Sequence, residues 1–132
     1  AFLTCAGIPC TAPTVPVAAG KRVAGTARTS GFAELQWRGA AWGDWALEAR
    51  GSGRVAVNDV NADFAPGYGL LALRWSKAYA LPGGWKAELL ARLDNAANRV
   101  HVGSVIVGDG NGRFFEPGAP RSALLALRLS GL

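Results

Sequence analysis

Five segments of the chain alternate apolar and polar side chains with a period of two. Ala33, Leu35 and Trp37 fall on one face, with Glu34, Gln36 and Arg38 on the other. Trp45, Leu47 and Ala49 oppose Glu48, Arg50 and Ser52, and Leu71, Leu73 and Trp75 oppose Ala72, Arg74 and Ser76. Trp85, Ala87, Leu89, Ala91 and Leu93 oppose Lys86, Glu88, Arg92 and Asp94. The last segment sets Ala123, Leu125, Leu127 and Leu129 against Leu124, Ala126, Arg128 and Ser130. Successive side chains of a strand point to opposite faces, so each segment predicts a strand with one apolar and one more polar face.

A soluble sandwich turns the apolar face inward, whereas a membrane barrel turns it out to lipid and lines its lumen with the polar face. Two features favour the barrel. Short joints at 38–44 and 77–84 alternate with long connections at 53–66 and 94–121. Outer-membrane barrels have this rhythm of short periplasmic turns and long outer loops, which also makes 5–30 an outer loop. Trp37, Trp45, Trp75, Tyr79 and Trp85 lie on the apolar face beside the short joints. Indole and phenol rings favour the membrane–water interface, so this cluster predicts half of an aromatic girdle. The competing reading makes them core aromatics of a sandwich.

Glu34, Arg38, Glu48, Arg50, Arg74, Lys86, Glu88, Arg92 and Arg128 share the expected lumen face. Their mixed signs suit cross-strand pairing, either lining a hydrated ligand path or satisfying one another.

Composition changes this picture little. The 132 residues contain 18 glycines and 7 prolines, which cut the sequence into short segments. No apolar run approaches the roughly 20 residues of a helical span. The net charge of +5 raises the question of an acidic partner, but the basic residues are scattered, and no nucleic acid is expected. No signal-peptide pattern is visible from Ala1 onward, and Ala1 is expected to be a cut point or a mature start. Cys5 and Cys10 close a short loop if paired, and a disulfide is the expected state over two free thiols. With His101 the sole histidine, neither a zinc site nor a catalytic triad assembles, and neither enzyme activity nor a cofactor or metal is expected. Gly108-Asp109-Gly110-Asn111-Gly112 lacks the lysine of a phosphate loop and the distal glutamate of an EF-hand, so it reads as a turn. Asp59, Asn61 and Asp63 alternate like weak calcium ligands but read better as a solvated loop.

The stretch Asn95–Arg121, with Val102-Gly103-Ser104-Val105 and Asn111-Gly112-Arg113-Phe114-Phe115-Glu116-Pro117, resembles the approach to the last strand of TonB-dependent receptors. Asp94-Asn95 and Arg99 match that family's corner, while Ala96, Ala97 and Asn98 depart from it and His101 stands where tyrosine is usual. Val57-Asn58-Asp59 and Ala65-Pro66-Gly67-Tyr68 fit its penultimate outer loop and strand start. The resemblance covers most of 30–132. Its ending departs too, because such barrels commonly finish on an aromatic and this chain finishes Ser130-Gly131-Leu132.

The resemblance implies a bacterial outer-membrane receptor that imports a scarce ligand, an iron–siderophore complex above all. It implies as partners the lipid, a plug domain, the rest of the barrel, and an inner-membrane energising complex acting through the plug. The expected fold is all-β: an antiparallel up-and-down meander of about five to six strands, the C-terminal part of a transmembrane barrel. Residues 1–132 form one partial barrel domain, with 1–30 an outer-loop region and 31–132 strands and loops. The ligand-binding residues are not specified by the sequence. On its own such a segment is expected to self-associate. The alternatives are a soluble sandwich-like binding domain with a basic face, or a truncated fragment without independent function.

Overall fold

The computed structural model describes residues 1–5 and 9–131. Strands dominate: β1 (Phe2–Thr4), β2 (Val15–Val17), β3 (Ser30–Trp37), β4 (Asp44–Ser52), β5 (Val55–Ala56), β6 (Phe64–Ala65), β7 (Tyr68–Ala80), β8 (Lys86–Asp94), β9 (Val102–Val105), β10 (Phe115–Pro117) and β11 (Ser122–Ser130). A single 3₁₀ turn at Pro82–Gly84 is the only helical element among the described residues. The fold is all-β.

All five alternating segments are strands, and together they make one sheet in the order β11–β8–β7–β4–β3. Neighbours in space are neighbours in the chain once the short strands are set aside, as in a meander. β8 pairs antiparallel with both β7 and β11, with Leu73 opposite Leu93, Trp75 opposite Ala91, and Leu125 opposite the same Ala91. β3 and β11 are the outer strands of this sheet, and among the described residues no closure joins them.

The joints differ from expectation in one place. The expected short joint at 77–84 is shorter still, because β7 runs on to Ala80 and pairs Tyr79 with Ala87 and Ala80 with Lys86. Lys77 masked this continuation by putting a charge on the apolar face. Its stem can lie along that face while Nζ reaches the Ala41 carbonyl at 2.6 Å.

The long connections are not plain loops. They carry three small antiparallel pairs: β1 with β2, β5 with β6, and β9 with β10. Strands of two to four residues are too short to show a period, so alternation could not reveal them.

The chain divides into two compact units. The first comprises 1–30, 51–68 and 100–118, that is, the three long segments. Its core is small: Val17, Ala56, Val57 and Ala65 are buried. Backbone bonds tie the segments together there, with Gly25 N–H donating to Ala56 C=O at 2.9 Å and Gly108 N–H to Val57 C=O at 3.0 Å. Cys5 and Cys10 are joined by a disulfide, their Cα atoms 5.6 Å apart.

The second unit comprises 31–50, 69–99 and 119–132 and holds nearly all of the five-stranded sheet. Its buried apolar residues, Ala46, Leu70 and Ala72, belong to the face that carries the charges. The corner after β8 is built on Asn95, which is 3% exposed and adopts φ 46°. Its Oδ1 accepts from Arg99 N–H at 2.8 Å, and its Nδ2 donates to the carbonyls of Arg99 at 2.9 Å and Ala119 at 3.2 Å. Asparagine tolerates this left-handed backbone, and its buried amide is satisfied by the peptide groups of the corner in the same stroke.

Candidate functional site

The register places the apolar side chains of neighbouring strands side by side. Tyr79, Ala87 and Leu129 form one cross-strand row; Lys77, Leu89 and Leu127 form the next. Trp75, Ala91 and Leu125 follow, then Leu73, Leu93 and Ala123. This face is not covered: Leu125 is 83% exposed, Leu127 61% and Leu129 58%. Trp37, Trp45, Tyr79 and Trp85 are also exposed. A shallow hollow of about 320 Å³ opens on the same face, walled by Trp45, Leu73, Trp75, Leu93 and Leu125. Soluble monomers rarely leave so continuous an apolar patch in water.

The predicted aromatics divide into contacts. Trp45 and Trp75 meet at 6.3 Å between ring centroids. The Trp75 indole N–H donates to the Trp42 carbonyl at 2.8 Å. Gly43 permits that approach: its φ is +82°, and a Cβ there would sit 2.6 Å from both Ser76 O and Trp75 Nε1. Tyr79 lies 5.2 Å from the Lys77 ammonium, ring centroid to Nζ. Trp85 lies just before β8, and Gly131 packs closely enough that a side chain there would crowd its indole. Trp42, 82% exposed in the β3–β4 turn, belongs to no strand alternation, so the sequence pattern gives no signal for it.

The opposite face collects the charges. Arg92 on β8 makes a fork with Glu48 on β4, Nη1 to Oε1 at 2.8 Å and Nη2 to Oε2 at 2.7 Å. Its Nε donates to both carboxylate oxygens of Asp94 at 3.1 Å. Arg74 on β7 reaches Glu34 on β3 at 3.5 Å, and Glu34 also accepts from the Gln36 amide. Both arginines pass over an intervening strand to find a carboxylate. Two strand spacings amount to about 9.6 Å, which arginine and glutamate side chains together can span. The small Ala72 of β7 lines the same cleft as Glu48 and Arg92 and leaves room for their bridge.

Arg74 stands directly opposite Arg92 in register, so pairing with carboxylates two strands away also relieves a like-charge contact. Glu88 lies opposite Arg128 and Ala78, and Lys86 opposite Ser130 and Ala80. Arg38 and Arg50 both line exposed clefts on this sheet, Arg50 beside Glu48 and Arg92, and Arg38 beside Asp44 and Arg74. Asp94 completes the Arg92 cluster, although it was not among the expected lumen charges. Its place on the polar face was legible, but its position at the strand end made it look like part of the corner.

The loop residues with a calcium-like spacing are engaged in local structure. Asp59 Oδ2 accepts from the Thr4 hydroxyl at 3.0 Å, and Asp63 Oδ1 from Phe64 N–H at 2.7 Å. The Asn61 amide is bound to the Arg22 backbone. Asp109 Oδ2 accepts from Arg113 N–H at 2.7 Å and shapes the glycine-rich turn. The His101 and Tyr68 rings meet at a tilt of 49° with centroids 4.6 Å apart. No family model matches the chain.

Proposed function

We propose that this chain is a wall segment of a transmembrane β-barrel in the bacterial outer membrane, of the TonB-dependent receptor type. The observation that carries the reading is the uncovered face of leucine and tryptophan, kept in register across the sheet, behind a face of paired charges. A sandwich needs the reverse, with the apolar face buried and the charges in water. In a barrel the Leu and Ala rows would meet acyl chains. Trp37, Trp45, Trp75, Tyr79 and Trp85 would mark the periplasmic interface, and the guanidinium–carboxylate pairs would line the lumen.

Five strands are too few to enclose a lumen, since even small membrane barrels use about 8 and receptors of this type about 22. Further strands pairing with β3 and β11 are therefore part of the proposal, as are a plug domain in the lumen and an inner-membrane complex that energises it. The intact receptor imports a scarce ligand, an iron–siderophore complex as the leading candidate, and the first unit supplies outer-loop surface.

Two measurements test this. Brominated lipids should quench the tryptophan emission of the protein in vesicles, and emission indifferent to bromine removes the lipid-facing assignment. A strain lacking the protein should take up ferric siderophore more slowly under iron limitation. Unchanged uptake across a panel of siderophores leaves the wall assignment standing but removes the transport role.

A further inference from the structure

Away from the sheet, the first unit gathers positive charge on one aromatic ring. The Arg54 guanidinium carbon lies 4.6 Å from the centroid of Phe64, and that of Arg22 lies 5.7 Å from the same centroid. Arg22 is held in place from behind. Its N–H donates to Asn61 Oδ1 at 2.7 Å, and its C=O accepts from Asn61 Nδ2 at 2.9 Å. Asn61 itself is fixed at φ 56° and also donates to the Asn58 carbonyl at 3.0 Å. Arg22 Nη1 reaches the Arg54 carbonyl at 3.4 Å, which draws the two arginine segments together.

Two like charges sharing one ring repel each other, and the usual remedy is a carboxylate between them. Among the described residues neither Arg22 nor Arg54 makes a salt bridge. Asp63, next to Phe64 in the chain, accepts the Phe64 N–H through its Oδ1. Each guanidinium has five N–H donors, and among the described residues the two together engage one, the Arg22 Nη1 contact. The ring supports the cations through its π-face and leaves donor edges open. Lys21 adds a third positive charge next along the chain.

We propose that Arg22 and Arg54, braced on Phe64, form a binding site for a phosphate-type oxyanion. A tetrahedral dianion has the acceptors to take paired N–H donors from a planar guanidinium and the charge to offset two of them. Free phosphate and the phosphomonoester of a lipid headgroup present the same chemistry. The site is independent of the barrel assignment, because it is built wholly from the first unit.

The test uses the full chain in non-ionic detergent at low ionic strength. Inorganic phosphate is titrated by calorimetry, and the arginine Nε–Hε resonances are followed by NMR. Saturable binding is expected, with shifts at Arg22 and Arg54 and none at Arg28. Arg54→Gln should weaken binding by about tenfold or more, while Arg28→Gln, an equal change in charge, should leave it unchanged. Repeating the titration with short-chain phosphatidic acid identifies the source. Tighter binding than phosphate points to a lipid headgroup, and equal or weaker binding points to the free anion. Absence of saturable binding, or equal losses in Arg54→Gln and Arg28→Gln, overturns the proposal. Should Arg54→Gln fail to fold, the wild-type resonances decide alone: shifts spread over all arginines mean diffuse screening and no site.

Discussion

Leu125 and Ala126 are consecutive, both exposed, and on opposite faces of β11, so one substitution moved by one residue interrogates the faces directly. Leu125 shares its row with Ala91 and Trp75, four residues along β7 from Tyr79. At about 3.4 Å per residue and a tilt near 40°, that row lies about 10 Å inside the Tyr79 level, close to the middle of an apolar band about 25 Å tall. Arginine at that depth costs about 2–4 kcal/mol, a factor of roughly 30 to 1,000 in the membrane equilibrium. Ala126 lies opposite Leu90 on the charged face, where an added guanidinium stays hydrated and should change stability by no more than about 0.5 kcal/mol. Flotation with phosphatidylcholine vesicles, read by tryptophan emission, should therefore show Leu125→Arg losing membrane association while Ala126→Arg keeps it. Equal effects of the two refute the face assignment. Ala72, on the same face as Ala126, would be a poor control, because it is nearly buried and an arginine there would collide with the Glu48–Arg92 bridge.

Glu48→Ala removes both arms of the Arg92 fork and should cost about 1.5–3 kcal/mol in urea unfolding, whereas Glu34→Ala breaks a longer, more exposed contact and should cost no more than about 1 kcal/mol; equal costs would contradict the geometry. Asn95→Ala loses the three hydrogen bonds of a buried side chain and places alanine at positive φ, for a loss of about 2–4 kcal/mol. Asn95→Gly should recover only the backbone part, and complete recovery would show the side-chain bonds to be idle. With the edges of β3 and β11 unpaired and the leucine face bare, the chain should self-associate in detergent-free buffer; light scattering that finds a stable monomer tells against the membrane reading. Non-reducing mass spectrometry should find no free thiol at Cys5 or Cys10, and reduction should cost less than about 3 kcal/mol because the closed loop is so short.

Much of the sheet was legible in the chain because strand geometry is local. Leu71, Leu73 and Trp75, or Leu125, Leu127 and Leu129, declare a face by spacing alone, and the turn at Gly43 and the corner at Asn95 are residues that accept positive φ. The aromatics beside the short joints were likewise visible. Alternation names two faces, however, and does not say which one meets water. Only the tertiary arrangement decided that the Trp and Leu rows stay uncovered while Ala46, Leu70 and Ala72 are buried on the charged side. Pairing across an intervening strand was equally invisible: nothing in the neighbourhood of Arg92 announces Glu48, 44 residues earlier. The same holds for Arg22 and Arg54, which sit 32 residues apart and meet on Phe64, with Asn61 clamping the Arg22 backbone. Periodicity is set by a strand's own dihedral angles and can be read residue by residue. Register and the meeting of distant charges depend on which segments come to lie side by side, and that is settled by the packing of the whole chain.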